Sequence, residues 1–131
     1  MKIRTLVLSK GNLEERNIDD TLEALQKIVG GYIEIPFLSK VFKENDIDII
    51  INDEGKYIEG LAPEIAVVGK NTNTILDIVY GSCVFVSHDA QGNTVGLNNE
   101  QIEVVTEELE MSAMIHDNKD EKDYLVKVLL V

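Results

Sequence analysis

Short aliphatic and β-branched runs, each stopped within about eight residues by a turn, dominate this sequence and hold it to a sheet-based fold. Lys2 to Leu8 reads as a strand, Lys10-Gly11-Asn12 as a turn, and Leu13 to Ile18 as a more polar returning strand. Tyr32 to Leu38, Ile47 to Ile51, Ile75 to Tyr80, Cys83 to Ser87 and Tyr124 to Val131 have the same character. Glu64 to Val68 fits a strand or a single helical turn equally. Pro36 cannot donate a ladder hydrogen bond, so its strand belongs at an edge or an end. Asn52-Asp53-Glu54-Gly55-Lys56 has hairpin chemistry, with Tyr57 and Ile58 beginning the return. Gly81-Ser82 predicts a bulge or a close backbone approach.

Only two segments carry helix signals. Asp20 followed by Glu23 has the spacing of a cap and its reciprocal partner, and Leu22, Leu25, Ile28 and Val29 share one face. Gly30-Gly31 closes that helix. Asn98 and Gln101 repeat the capping spacing and open a second helix to about Met114, burying Ile102, Val105 and Leu109. Ser39 to Asp46 reads as a loop, and residues 116–123 as a charged linker before the closing strand. The expectation is one α+β domain over 1–131, with an antiparallel or mixed sheet of five to seven strands and two helices packed on it.

Size and charge narrow the function. A chain of 131 residues suits one domain with a real core. The apolar run at Met1 to Leu8 is broken by Arg4 and Thr5 and has no cleavage site after it, so it reads as a strand and not a signal peptide. No run approaches the ~20 apolar residues of a bilayer span. The single cysteine, Cys83, points to a reducing cytoplasm. The formal charge is −12, falling as −4 over Met1–Gly60 and −8 over Leu61–Val131. Such a chain repels nucleic-acid backbone and anionic membrane, which argues against both as direct partners.

Catalytic and metal chemistry find little footing. Cys83 and His88 lie five apart, but Cys83 sits inside the apolar run Gly81-Ser82-Cys83-Val84-Phe85-Val86, where an inert thiol is expected. Two histidines and one cysteine give no zinc spacing. The loop at Asp53 lacks the length and closing glutamate of a calcium site. Neither a metal nor a cofactor is expected, and the role is read as binding without turnover. The strongest charge pattern is Glu100, Glu103, Glu107 and Glu110, stepping by three and four along one helix face. It reads as a solvated face or as an acidic ridge offered to a basic partner. For an anionic ligand, Arg4 and Arg16 are the only bidentate grips. Backbone amides at Gly81, with Ser82 and the rings of Tyr57, Tyr80 or Phe85, offer hydrogen bonds and stacking.

A series of ordered pieces carries a family resemblance. They are Leu22-Glu23-Ala24-Leu25-Gln26, Val29-Gly30-Gly31-Tyr32-Ile33-Glu34, Asn52-Asp53-Glu54-Gly55-Lys56 and Gly60-Leu61-Ala62-Pro63, then Asp77 to Ser82 and Gly96 to Ile102. Over roughly residues 1–110 the chain resembles a family of small proteins encoded by phages and mobile elements of Gram-positive bacteria. In size and α+β layout it is also similar to phage sponge proteins that sequester cyclic ADP-ribose signals of the Thoeris defence system. Glu64 and Ile65 follow Pro63 where those relatives often carry Asn and Arg, which leaves a phosphate grip to Arg4 or Arg16, supplied from another subunit.

The resemblance implies a non-enzymatic anti-defence protein that binds a nucleotide-derived signal in a bacterial host cell. A homodimer or larger assembly is a separate expectation, since small sheet proteins often cover an edge that way. Two other readings stand beside it. One is an acidic inhibitor or DNA mimic that meets a host defence protein through the glutamate ridge. The other is an adaptor using an exposed strand edge near Pro36 or Val131.

Overall fold

In the computed structural model, which describes all 131 residues, the chain begins with a hairpin of β1 (Lys2–Ser9) and β2 (Asn12–Asp19). Its two-residue turn puts Lys10 and Gly11 at φ +51° and +81°, the left-handed pair a tight hairpin needs. The Glu64 carboxylate fixes this turn by accepting the N–H groups of Lys10 (2.7 Å) and Gly11 (3.0 Å). Glu64 is buried, so two charge-assisted bonds offset its loss of water.

Ten strands divide into two sheets. The α+β class is as expected, with more strands than one sheet of five to seven. In the larger sheet β1 and β2 are joined by β3 (Ile33–Glu34), β4 (Ile47–Asn52), β7 (Cys83–His88) and β8 (Thr94–Val95). The order is β2-β1-β7-β4-β3, with β8 on the end of β7, and every pairing is antiparallel. The smaller sheet orders β6 (Ile75–Tyr80), β5 (Pro63–Val68), β10 (Lys122–Leu130) and β9 (Ser112–Asp117), with β5 and β10 parallel. The segment at Glu64 is therefore a strand, and its register shift against β6 releases the Glu64 side chain toward the hairpin turn.

Residues of β1, β4 and β7 are apolar on both faces because both faces are covered. On one face Ile3, Val7, Ile50, Val84 and Val86 pack against Leu25 and Val29 of α1 (Leu22–Val29). On the other, Leu6, Leu8, Ile49 and Phe85 meet Ile65, Val67, Val79 and Leu129 of the smaller sheet. Phe42 of α2 (Lys40–Glu44) and Val105 and Leu109 of α3 (Asn99–Glu108) complete that layer. Continuous runs such as Thr5-Leu6-Val7-Leu8 are what a strand buried on both sides requires.

Several local expectations are corrected. There are three helices, since α2 forms where a loop was expected. Ser39 caps it by accepting the Phe42 N–H, a signal with only five residues behind it. Helix α1 is capped by Thr21, one residue after Asp20, and α3 stops at Glu108, so Met111 to Met114 are not helical. Asn98 and Gln101 do form the expected capping box.

Asn52 to Lys56 turns the chain into a single 3-10 turn, Gly55–Tyr57, with no returning strand. The Asn52 side chain is held instead, donating to the Val29 carbonyl and accepting the Glu54 N–H. Residues 116–123 are a hairpin and not a linker. β9 and β10 pair from Lys122↔Asp117 to Lys127↔Ser112, and Glu121 takes φ +58° in the turn. Their charges pair across it: His116 meets Asp123 (2.9 Å) and Glu121 (3.1 Å). No helix is long and apolar enough to cross a membrane.

Candidate functional site

Antiparallel pairing of β3 with β4 lasts for two positions, Ile33↔Asn52 and Glu34↔Ile51. Pro36 then removes the next donor the ladder would use, and the chain leaves β4 while remaining extended. From Ile47 to Ile50, β4 has a strand partner on the β7 side only. The gap between Ile35–Leu38 and β4, closed at one end by α2, is a cleft of about 360 Å3. Ile35, Phe37, Phe42, Ile47 and Ile49 give it an apolar lining, and Lys43, Asp46, Asp48 and His88 give it charge. That is the composition of a small-molecule site, apolar walls with a few convergent polar groups.

Long-range pairing brings the polar groups together. β4 runs beside β7 with Ile47 opposite Ser87, which places Asp46 and Asp48 around His88. His88 Nδ1 lies 2.9 Å from Asp48 Oδ2, and Nε2 lies 3.5 Å from Asp46 Oδ1. Asp46 is held in the left-handed region, φ +55°, by the Ser87 hydroxyl, which donates to its carbonyl at 2.8 Å. Gln101 of α3 reaches the same corner, donating to the Asn45 carbonyl and to Ser87 Oγ, both at 2.9 Å. The start of α3 thus positions the cleft's acidic rim.

The hydrogen bond to Asp48, with the charges of Asp48, Asp46 and Asp89 added, raises the His88 pKa above its ordinary value. The raised folded value means that protonated His88 stabilises the folded chain. This contribution is complete below the unfolded pKa of about 6.5 and is lost as pH rises through the folded value. Ring-proton titration of His88 should give a midpoint above 6.5, and Asp48→Asn should bring it down. An unmoved midpoint in that variant would contradict the pairing.

The residues expected to grip an anion do not converge. Arg4 donates to Glu15 at 3.0 and 3.1 Å and to Asn99, while Arg16 is held by Glu14. Both lie on the β1–β2 side of the sheet, away from β4. Tyr57, 86% exposed, and Tyr80 share a smaller cleft of about 190 Å3 with Glu34, Asp53 and Asp77. The only cation there, Lys56, is paired with Asp77. Those carboxylates disfavour a phosphate.

Burial first, and then donation to Asp117 at 3.0 Å, push the Tyr80 hydroxyl up to about 12. Gly81 adopts φ +84° and donates to the Ala62 carbonyl, and Ser82 bonds to Ser9 at 2.7 Å, so both serve the junction of the sheets. Phe85 is fully buried, edge-on to Phe42 at 5.8 Å, and cannot stack on a ligand. Cys83 is also fully buried, and desolvation followed by the charge of Glu64 holds its thiol protonated.

Glu100, Glu103 and Glu107 are exposed on α3 as expected, whereas Glu110, also exposed, lies beyond the helix end at Glu108, and no cation pairs with any of the four. Sequence reasoning passed over Asp48 and Phe37 and considered His88 only beside Cys83. The available signal was Asp46 and Asp48 at alternate positions entering a strand, which put two carboxylates on one face.

No curated protein and no solved structure matches the chain. Residues 1–110 match the family model described as "Domain of unknown function (DUF3846)". That span holds β1 to β8, all three helices and every residue of the β4-edge cleft, and by it the chain belongs to the DUF3846 family.

Proposed function

We propose that this domain binds and sequesters a nucleotide-derived signal without converting it, and that it does so in the cleft beside β4. The observation that carries the reading is the break in the β3–β4 ladder, which leaves an apolar slot rimmed by His88, Asp46 and Asp48. Phe37 is 68% exposed beside this slot, with Lys43 Nζ 5.6 Å from its ring centre. An aromatic face next to a lysine suits a base with a phosphate attached. The Asp46 and Asp48 carboxylates suit the amino groups of a base edge. The resemblance supplies the ligand class, and the cleft replaces Arg4, Arg16 and the tyrosines as its seat.

Calorimetric titration against cyclic nucleotides and ADP-ribose isomers tests this. One ligand is expected to bind per chain and to be recovered unaltered. Phe37→Ala should weaken it at least about fivefold, since base stacking contributes ~1–3 kcal/mol. Flat traces across the panel, or recovery of a converted product, would contradict the proposal.

A further inference from the structure

Sheet edges invite pairing with another chain, and proteins usually blunt them with charge, proline, bulges or cover. Three of the four outer strands here are blunted. β2 exposes Glu14, Glu15 and Arg16, and β3 lasts two residues before Pro36. β6 is shifted in register against β5, carries the Lys56–Asp77 ion pair and is backed by the 3-10 turn. β9 is charged only at its far end, where His116 and Asp117 stand. It pairs with β10 without a register shift, and no other element packs on it to a comparable extent. From Met111 to Ile115 it carries neither charge nor proline.

We propose that β9 is the interface at which two copies of this chain associate, pairing antiparallel about a two-fold axis near Met114. Charge favours a second copy. The molecule carries −12, so copies repel almost everywhere, yet this register sets Ser112 of one copy opposite His116 of the other and brings no carboxylate against another. The apolar surface is also sufficient. Met111, Met114 and Leu125 are 50–64% exposed at this edge. Covering them in both copies, with the strand backbones, removes on the order of 1,000 Å2 from water, the lower bound of a specific interface.

Beside β9, the outer sheet face forms a trough of about 360 Å3 lined by Ala66, Val68, Ile75, Val128 and Leu130. In this register Ile115 of the second copy stands opposite Ala113, which borders the trough on its β9 side. This interface is in the smaller sheet, shares no residue with the β4 cleft and stands or falls independently of the ligand.

Sedimentation velocity on the full chain at micromolar concentration and above tests the interface. The expected species has twice the 14.6 kDa chain mass. Met114→Lys should weaken association at least about a hundredfold, because two like charges meet at the axis, and should keep the thermal transition. If that variant does not fold, Ser112→Lys serves instead. A wild-type monomer throughout, or a dimer that survives the folded lysine variant, would overturn the proposal.

Discussion

A chain ended at Glu110, where the family match stops, is expected not to fold. The missing segment contains β10, which lies between β5 and β9 inside the smaller sheet. Val126 and Leu129 are fully buried and Val128 nearly so, and Leu129 belongs to the larger core cluster with Ile65, Val67 and Val79. Burying each such side chain contributes roughly 1.5–3 kcal/mol, so three together approach the whole ~5–15 kcal/mol stability of a typical domain. The cut also unpairs β5 along Ile65 to Val68. Far-ultraviolet circular dichroism during heating is the check. The expected result is no cooperative transition, whereas a sharp one for residues 1–110 would show that the second sheet is dispensable.

Phe85→Ala should lower stability by about 3–5 kcal/mol, the range for removing a fully enclosed ring without collapse of its surroundings. Phe85 stands where the two sheets meet, opposite Ile49 and Leu6 in the pairing and edge-on to Phe42. A loss of that size lowers the melting temperature of a domain this long by more than about 10 °C. Phe37→Ala, at an exposed position, should change stability by no more than about 0.5 kcal/mol. Denaturant midpoints for the two variants measure the contrast. Equal losses, or less than about 1 kcal/mol from Phe85→Ala, would contradict the assignment of one ring to the core and the other to the cleft.

Much of this architecture can be read locally. The hairpin at Lys10-Gly11, the strands of β1, β4 and β7 and the capping box of α3 follow from turn chemistry, apolar runs and a three-residue spacing. Other features are not legible in that way. Residues 116–123 look like a solvated charge run, and become a hairpin because His116, Glu121 and Asp123 answer one another across the turn. Helix α2 has one capping serine and five residues, too short for a period to show. The candidate site is less legible still. Asp48 and His88 are forty residues apart, and the cleft exists only because Pro36 ends a two-residue ladder. The two arginines were attractive from their chemistry, but their partners, Glu15 and Glu14, lie on the neighbouring strand or two residues away.

The central claim is that the open edge of β4 is the binding surface. Amide chemical-shift mapping of the folded protein, titrated with cyclic nucleotides and ADP-ribose isomers, tests it most directly. The account predicts saturable shifts clustered at Phe37, Lys43, Asp48, Ile49 and His88. Saturable shifts confined to Tyr57 and Tyr80, or to the face of α3, would contradict it.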